Sequence, residues 1–493
     1  MNKESMPNWL RKRASMTPDR VAVMSKTEQR TFAELNSRAE GTARRLQNFG
    51  IDTGKYVAFL MQNGLHVVEL IHALHYTGAV TVPLNIRLTA RELAWQLEDS
   101  GAVLLVYDHS QVDKAEEISH TLPHLQVISI EALYQSEEKQ KPLKTHIALD
   151  EPHTIIYTSG TTGNPKGVVL TYGNHWWSAI GSALNLGLHE NDRWLACVPL
   201  FHVSGLSILM RSVIYGMTAV IHETFDPKEA NRAIKENGVT IMSVVSAMLT
   251  GMVNELGEDG YPGHFRCMLL GGGPAPQVLL EKCKDRGIPV FQTYGMSETA
   301  SQIVTLAPEN MLDKLGSAGK PLFPAELRIM QNGETAAPGE VGEIVVRGPN
   351  VTSGYLNREA ETKKAICDGW LYSGDLGYLD EEGFLYVLDR RKDLIISGGE
   401  NVYPAEVEAV LLAHPDVTDA GVTGIEDERW GQVPVAFVTV KKNAEFDEGG
   451  LLSFCGDRLA RYKVPSRVYP VKELPRNASK KLLRRKLTEL IPK

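Results

Sequence analysis

Residues 157–167 read YTSGTTGNPKG, eleven positions that hold three glycines, five hydroxyl side chains and one lysine. A loop this rich in glycine, serine and threonine turns backbone N–H groups inward and forms a nest for an anion, most often a phosphate. Short apolar runs precede it, VAFLM at 57–61, VTVPL at 80–84, VLLVY at 103–107 and VISI at 127–130, with intervals long enough for helices. The rhythm resumes after it at 193–199 (RWLACVP), 218–221 (TAVI), 240–245 (TIMSVV), 266–270 (RCMLL) and 289–292 (PVFQ). Apolar runs spaced by helical intervals predict parallel sheets covered by helices, so the loop sits between two α/β layers of similar construction.

Local signals refine this plan. TFAE at 31–34 reads as a capping box, and Phe32, Leu35, Ala39, Ala43 and Leu46 recur at helical spacing until Gly50 closes the segment. From about Gly319 the strands AELRIM, GEIVVRG and GFLYVLD alternate with Gly and Pro turns, which predicts a small β-rich subdomain. Beyond residue 400, AEVEAVLLAHP reads as an amphipathic helix, followed by strands AGVTG and VAFVTV and a basic tail. The fold class is therefore α/β. A large N-terminal body, residues 1–391, precedes a small α+β C-terminal domain, residues 392–493.

A chain of 493 residues exceeds one ordinary core. Its five cysteines are scattered and include no C-x-x-C pair, which argues against a disulfide framework or structural zinc and fits a reducing cytoplasm. The N-terminus lacks an apolar run behind its charges, and the stretch SILMRSVIYGMTAVI is interrupted by Arg211, so neither a signal peptide nor stable membrane insertion is expected. Acidic residues outnumber basic ones, 60 to 52, which removes the electrostatic footing for nucleic acid. A small-molecule partner fits better, and a homo-oligomer stays open.

The loop at 157–167 lacks the G-x-x-x-x-G-K-[ST] register, because Lys166 follows Pro165 and precedes Gly167. Alone it would pass equally for a glycine-rich surface turn. It resembles, however, the signature of the adenylate-forming enzymes, the superfamily of acyl-CoA synthetases, luciferases and peptide-synthetase adenylation domains. The resemblance continues in order through PLFHVSG at 199–205, LLGGGPAP at 269–276, QTYGMSETA at 292–300, GWLYSGDLG at 369–377, DRRKDLIISGGENVYPAEVE at 389–408 and LPRNASKKLLR at 474–484.

The resemblance implies a ligase that joins a carboxylate to ATP, releases pyrophosphate, and passes the acyl group to coenzyme A, with magnesium as cofactor. It implies that Thr158, Ser159, Gly160, Thr161, Thr162, Gly163 and Lys166 hold the triphosphate, with Lys166 counted among the catalytic groups. Glu298 would bind magnesium together with phosphate oxygens. Gly271, Gly272 and Gly273 would admit the adenine, Tyr294 would stack on it beside Gly295 and Ser297, and Asp375 would accept hydrogen bonds from the ribose with Arg390 nearby. Ser373 stands where the family has threonine and keeps the hydroxyl. His202, by composition an ordinary core histidine, would border the acid pocket and assist the carboxylate or gate the thiol. Lys481 takes the place of the catalytic tail lysine, although Lys480 replaces the usual glycine, which tolerates φ > 0 more readily. Lys392 matches a hinge that makes the C-terminal domain a mobile lid, and Gly398, Gly399 and Glu400 would shape the coenzyme A channel.

The acid is read from the pocket segments. His202, Arg211, Gly272, Ser297 and Ser301 are the expected acid-binding residues. Arg211, in an apolar run, is costly to bury unpaired, so an internal or substrate carboxylate is its expected partner, the alternative being an arginine that reaches solvent along its stem. The combination of PLFHVSGLSILMRSVIYGM, LLGGGPAP, QTYGMSETASQIVTL and LGSAGKPLF most resembles the ligases of menaquinone biosynthesis that use 2-succinylbenzoate, an acid with a second carboxylate on an aromatic ring. The alternatives are a medium-chain or aromatic acyl-CoA synthetase and, from another class, an adenylate-binding module without catalysis.

Overall fold

The computed structural model describes residues 5–158, 165–272, 277–389, 395–402, 404–441, 444–475, 482 and 484–492. Two compact units emerge. The first comprises Met1–Ile86, Leu97–Ile156 and Gly167–Leu388, and the second Arg87–Gln96, Tyr157–Lys166 and Asp389–Lys493. The expected boundary at 391/392 falls outside the described residues.

The first rhythm of apolar runs builds a seven-stranded sheet. Its order is Gly354–Tyr355, Lys166–Thr171, Pro152–Thr158, Val80–Pro83, Tyr56–Leu60, Leu104–Tyr107 and Gln126–Ser129, and the last four strands are mutually parallel. Ile130, expected to end the last strand, opens the helix Ile130–Gln135 instead, because the Ser129 hydroxyl accepts the N–H of Ala132 and caps it. The second rhythm builds a nine-stranded sheet ordered Lys320–Pro321, Ser301–Thr305, Val290–Met296, Cys267–Leu270, Ile241–Val244, Arg193–Ala196, Thr218–Ile221, Val21–Met24 and Gln29–Thr31. Its five central pairings, from Val290–Met296 across to Thr218–Ile221 and Val21–Met24, are parallel, and those strands are buried on both faces as parallel strands require.

Helix Phe32–Leu46 forms as its sequence dictates. The Thr31 side chain accepts from the Glu34 N–H while the Glu34 carboxylate accepts from the Thr31 N–H. Phe32, Leu35, Ala39, Ala43 and Leu46 all lie in the core, and burying each large apolar side chain contributes about 1.5–3 kcal/mol. The α-helix stops at Leu46, and a 3₁₀ turn, Gln47–Phe49, carries the chain to Gly50. The interrupted apolar stretch becomes helix Val203–Tyr215 and strand Thr218–Ile221. No helix among the described residues is long and apolar enough to cross a membrane.

The β-rich segment forms a sheet ordered Glu334–Thr335, Glu326–Gln331, Gly342–Arg347, Trp370–Leu379 and Ile366–Cys367, with Leu385–Asp389 beside Trp370–Leu379. Lys320 and Pro321 belong to the nine-stranded sheet, in register with Thr305 and Val304. In the second unit Glu400–Val402, Ile395–Ser397, Gly431–Val440 and Val417–Asp427 form a sheet, to which Arg467–Pro470 adds in parallel. Helices Pro404–Leu412 and Glu448–Gly456 accompany it, and Val407, Leu411, Leu451 and Cys455 share its core.

Candidate functional site

Within the first unit the structure brings together two residues expected to hold a nucleoside. The Tyr294 hydroxyl donates to Asp375 Oδ2 at 2.9 Å, and the two are 5% and 7% exposed. Tyr294 lies on strand Val290–Met296 and Asp375 on strand Trp370–Leu379. The latter strand carries extra residues opposite Glu343 and Val345, a bulge that re-aims its side chains at Ser373, Gly374 and Asp375. The Ser373 hydroxyl donates to Ile344 O at 2.5 Å and accepts from the Asp375 N–H at 3.1 Å. Serine thus holds the carboxylate's backbone with its hydroxyl alone. Gly271 and Gly272 follow strand Cys267–Leu270, with Gly272 exposed.

Glu298 lies in the turn Ser297–Thr299 that connects strands Val290–Met296 and Ser301–Thr305. Its Oε1 accepts from the Tyr355 hydroxyl at 2.9 Å. The following residues, Ala300 and Ser301, adopt φ of 50° and 98°, a left-handed conformation that costs of order 1–3 kcal/mol per non-glycine residue. The strand partner must be bare for this turn to close. A Cβ on Gly295 would lie 1.9 Å from Ser301 O, so no other residue fits there.

His202 stands at the N-terminus of helix Val203–Tyr215, its ring 4.7 Å from that of Phe201. Ser207 and Arg211, one turn apart, share a face of that helix. Ser207 Oγ lies 3.5 Å from Ser301 Oγ. Arg211 is 1% exposed, so it does not reach solvent. Its guanidinium lies 5.1 Å from the Trp194 ring centroid, and Nε and Nη2 have no hydrogen-bond partner among the described residues. No described carboxylate forms an ion pair with it. Burial lowers its pKa from the ordinary arginine value, opposed by the Tyr215 hydroxyl.

The second unit holds the other described candidates. The Thr158 hydroxyl lies 3.5 Å from the Lys166 carbonyl. Gly398 and Gly399, at φ of 58° and 82°, form the two-residue hairpin joining Ile395–Ser397 to Glu400–Val402, the turn for which consecutive glycines are suited. Glu400 pairs with Arg87. Ser159, Gly160, Thr161, Thr162, Gly163, Gly273, Arg390, Lys392 and Lys481 lie outside the described residues. Sequence reasoning passed over Tyr355, which meets Glu298, Arg87, which meets Glu400, and Ser178 and Asn350, which meet the backbone carbonyls of Ala300, Thr299 and Gln302; each contact exists only through the tertiary fold.

Residues 10–356 match the family of AMP-binding enzymes, and residues 406–481 match the AMP-binding enzyme C-terminal domain. A 2-succinylbenzoate–CoA ligase from Geobacillus kaustophilus is 62% identical over 490 residues, covering 99% of each chain. One from Bacillus anthracis is 54% identical over 488 residues, again covering 99% of each. Among solved structures, a double mutant of o-succinylbenzoate CoA synthetase from Bacillus subtilis, bound with its product analogue OSB-NCoA, is 48% identical, covers 99% of both chains and superposes with a TM-score of 0.94. The same Bacillus subtilis enzyme in complex with ATP and magnesium ion gives a TM-score of 0.76 at 48% identity, covering 98% of this chain and 100% of that one.

Proposed function

The chain belongs to the AMP-binding enzyme family, and we propose that it is an ATP- and magnesium-dependent acid–CoA ligase that acts on 2-succinylbenzoate, a step of menaquinone biosynthesis. A carboxylate oxygen attacks the α-phosphorus, the bond to the bridging oxygen breaks, and pyrophosphate leaves. The thiol sulfur of coenzyme A then attacks the acyl carbon, the acyl–oxygen bond breaks, AMP leaves and the thiol proton is lost. The first step brings two anions together, so fixed positive charge must be aimed at them. Lys166 and Lys481 are proposed to supply it, with the 158–166 loop holding the triphosphate and Lys392 acting as hinge.

The residues present fit the nucleotide and the metal. Asp375, anchored by Tyr294 and by the Ser373 hydroxyl, is a preplaced acceptor for a ribose diol, with Arg390 as a further donor. Gly271 to Gly273 and Tyr294 are proposed to border the adenine. Glu298 offers the hard oxygen that magnesium takes, oriented by a neutral phenol, and one carboxylate beside phosphate oxygens is the usual way this ion is held. Bound magnesium would neutralise phosphate charge. His202 borders the acid, and Gly398, Gly399 and Glu400 line the coenzyme A path. All five cysteines are free thiols, which suits the cytosol as the proposed compartment.

The observation that carries the choice of acid is Arg211, a buried guanidinium with two nitrogens lacking partners among the described residues. A buried charge left uncompensated is costly, and a distal substrate carboxylate would compensate it. The Ser207–Ser301 contact one helical turn away ties Arg211's face to the acid-binding strand. The test is incubation with ATP, magnesium, coenzyme A and either 2-succinylbenzoate, benzoate or hexanoate, with AMP and thioester followed by mass spectrometry. 2-Succinylbenzoyl-CoA should dominate; equal turnover of hexanoate would remove the acid assignment.

A further inference from the structure

The backbone that carries Glu298 is held at every carbonyl from 298 to 302. The Thr352 N–H donates to Glu298 O at 2.7 Å. Asn350 Nδ2 donates to Thr299 O at 2.9 Å and to Gln302 O at 3.3 Å. The Ser178 hydroxyl donates to Ala300 O at 2.7 Å, and the Thr299 hydroxyl to Ser301 O at 2.7 Å. Ser178, on helix Tyr172–Leu186, and Asn350, in the loop after strand Gly342–Arg347, are both buried. Neither belongs to a motif that the sequence singles out. They converge on the two consecutive left-handed residues, Ala300 and Ser301, and such strain persists only where the surroundings over-determine it.

We infer that Ser178, together with Asn350, is a positioning residue for the metal-bound nucleotide: it clamps the left-handed turn at Ala300 and Ser301 and thereby fixes where Glu298 points. A helix hydroxyl spent on a strained carbonyl could serve stability alone. The difference is that this carbonyl lies two residues from the proposed magnesium ligand. Groups that orient a ligand without touching the ion characteristically change its affinity about 10–100-fold when removed. The inference rests on Glu298 as that ligand, not on which acid is used.

The test is calorimetric titration of the full chain with ATP at a series of magnesium concentrations, comparing wild type, Ser178→Ala, Ser212→Ala and Glu298→Gln. Ser212 is a matched control. Its buried hydroxyl also donates to backbone carbonyls, Met217 O at 2.9 Å and Ala22 O at 3.2 Å, away from the turn. Ser178→Ala should raise the magnesium concentration for half-maximal ATP binding about tenfold or more, while Ser212→Ala keeps the wild-type value even if both melt earlier. Equal magnesium dependence in the two serine variants, with Glu298→Gln altered, would overturn the positioning role. No change in Glu298→Gln would remove the metal assignment and the inference with it. Asn350→Asp, isosteric but lacking the Nδ2 donor, probes the same turn if Ser178→Ala does not fold, and a wild-type magnesium dependence there would count against the clamp.

Discussion

Removing Arg211 should act in opposite senses on folding and on binding, because its proposed partner arrives only with the substrate. Methionine is similar in volume and apolar, so Arg211→Met removes a buried charge that lies over the Trp194 indole and interacts with the Tyr215 phenol. The thermal midpoint should hold or rise. Losing a desolvated ion pair to a substrate carboxylate costs about 2–5 kcal/mol, or at least about thirtyfold in kcat/KM for 2-succinylbenzoate. Benzoate, which lacks the distal carboxylate, should be affected far less. A lower midpoint with equal losses for both acids would make Arg211 a core residue and nothing more. Arg211 stood out in the sequence as the one charge in SILMRSVIYG, but its burial, as against reaching solvent along its stem, is decided only by the fold. The motifs named Tyr294 and Asp375 as candidates, but gave no sign of their mutual hydrogen bond across 81 residues. Ser178 left no trace at all, since one helical serine meeting a carbonyl 122 residues away has neither spacing nor motif to announce it.

Elements whose signals are local could be read; elements set by distant partners could not. The capping box at Thr31 is the clearest local signal, and it supports a quantitative expectation. Thr31→Ala removes the acceptor for the Glu34 N–H and should cost about 1 kcal/mol. In urea the midpoint should fall with an unchanged slope, and acid–CoA ligation under native conditions should be unaffected; an unchanged midpoint would mean the box adds nothing net. Strand Trp370–Leu379 was obscured by the opposite circumstance. Its SGD segment is a bulge, so the alternation that marks a strand breaks at the very residues proposed to bind the nucleotide. The hairpin Val21–Met24 and Gln29–Thr31 gave no sign of its place either, because its parallel partner is Thr218–Ile221 and pairing across such a separation is decided by packing.

At the scale of the whole molecule, the core of the first unit encloses four imidazoles that no motif connects. His72 and His75 come from helix Leu65–Thr77, His153 from strand Pro152–Thr158 and His175 from helix Tyr172–Leu186. His153 Nε2 lies 2.5 Å from His75 Nε2, and the rings of His153 and His175 are 4.6 Å apart. Trp9, Tyr172 and Thr154 pack around them, and the Arg211 charge faces His175. Burial lowers the pKa of His72 to about 4, burial and then Arg211 lower that of His175 to about 3, and burial lowers those of His75 and His153 well below the ordinary value. Above the unfolded pKa of about 6.5 these groups are neutral in both states and do not contribute to the pH dependence. Below it the unfolded chain binds protons that the folded chain refuses, so stability falls as pH drops, by about 1.4 kcal/mol per pH unit for each histidine. Asp192, whose carboxyl is held below its ordinary value of 3.8 against the opposition of burial by Arg266, loses its contribution only in stronger acid. Within the first unit these histidines, together with His222, whose pKa burial also lowers, should therefore set the slope between pH 6.5 and about 4.5. Glu406 of the second unit, its carboxyl raised by burial, takes up a proton on folding and acts in the opposite sense. The urea midpoint should decline steadily through that window, and His72→Leu should make the decline shallower by one histidine's share. A flat midpoint would mean that the buried imidazoles accept protons without unfolding the core around them.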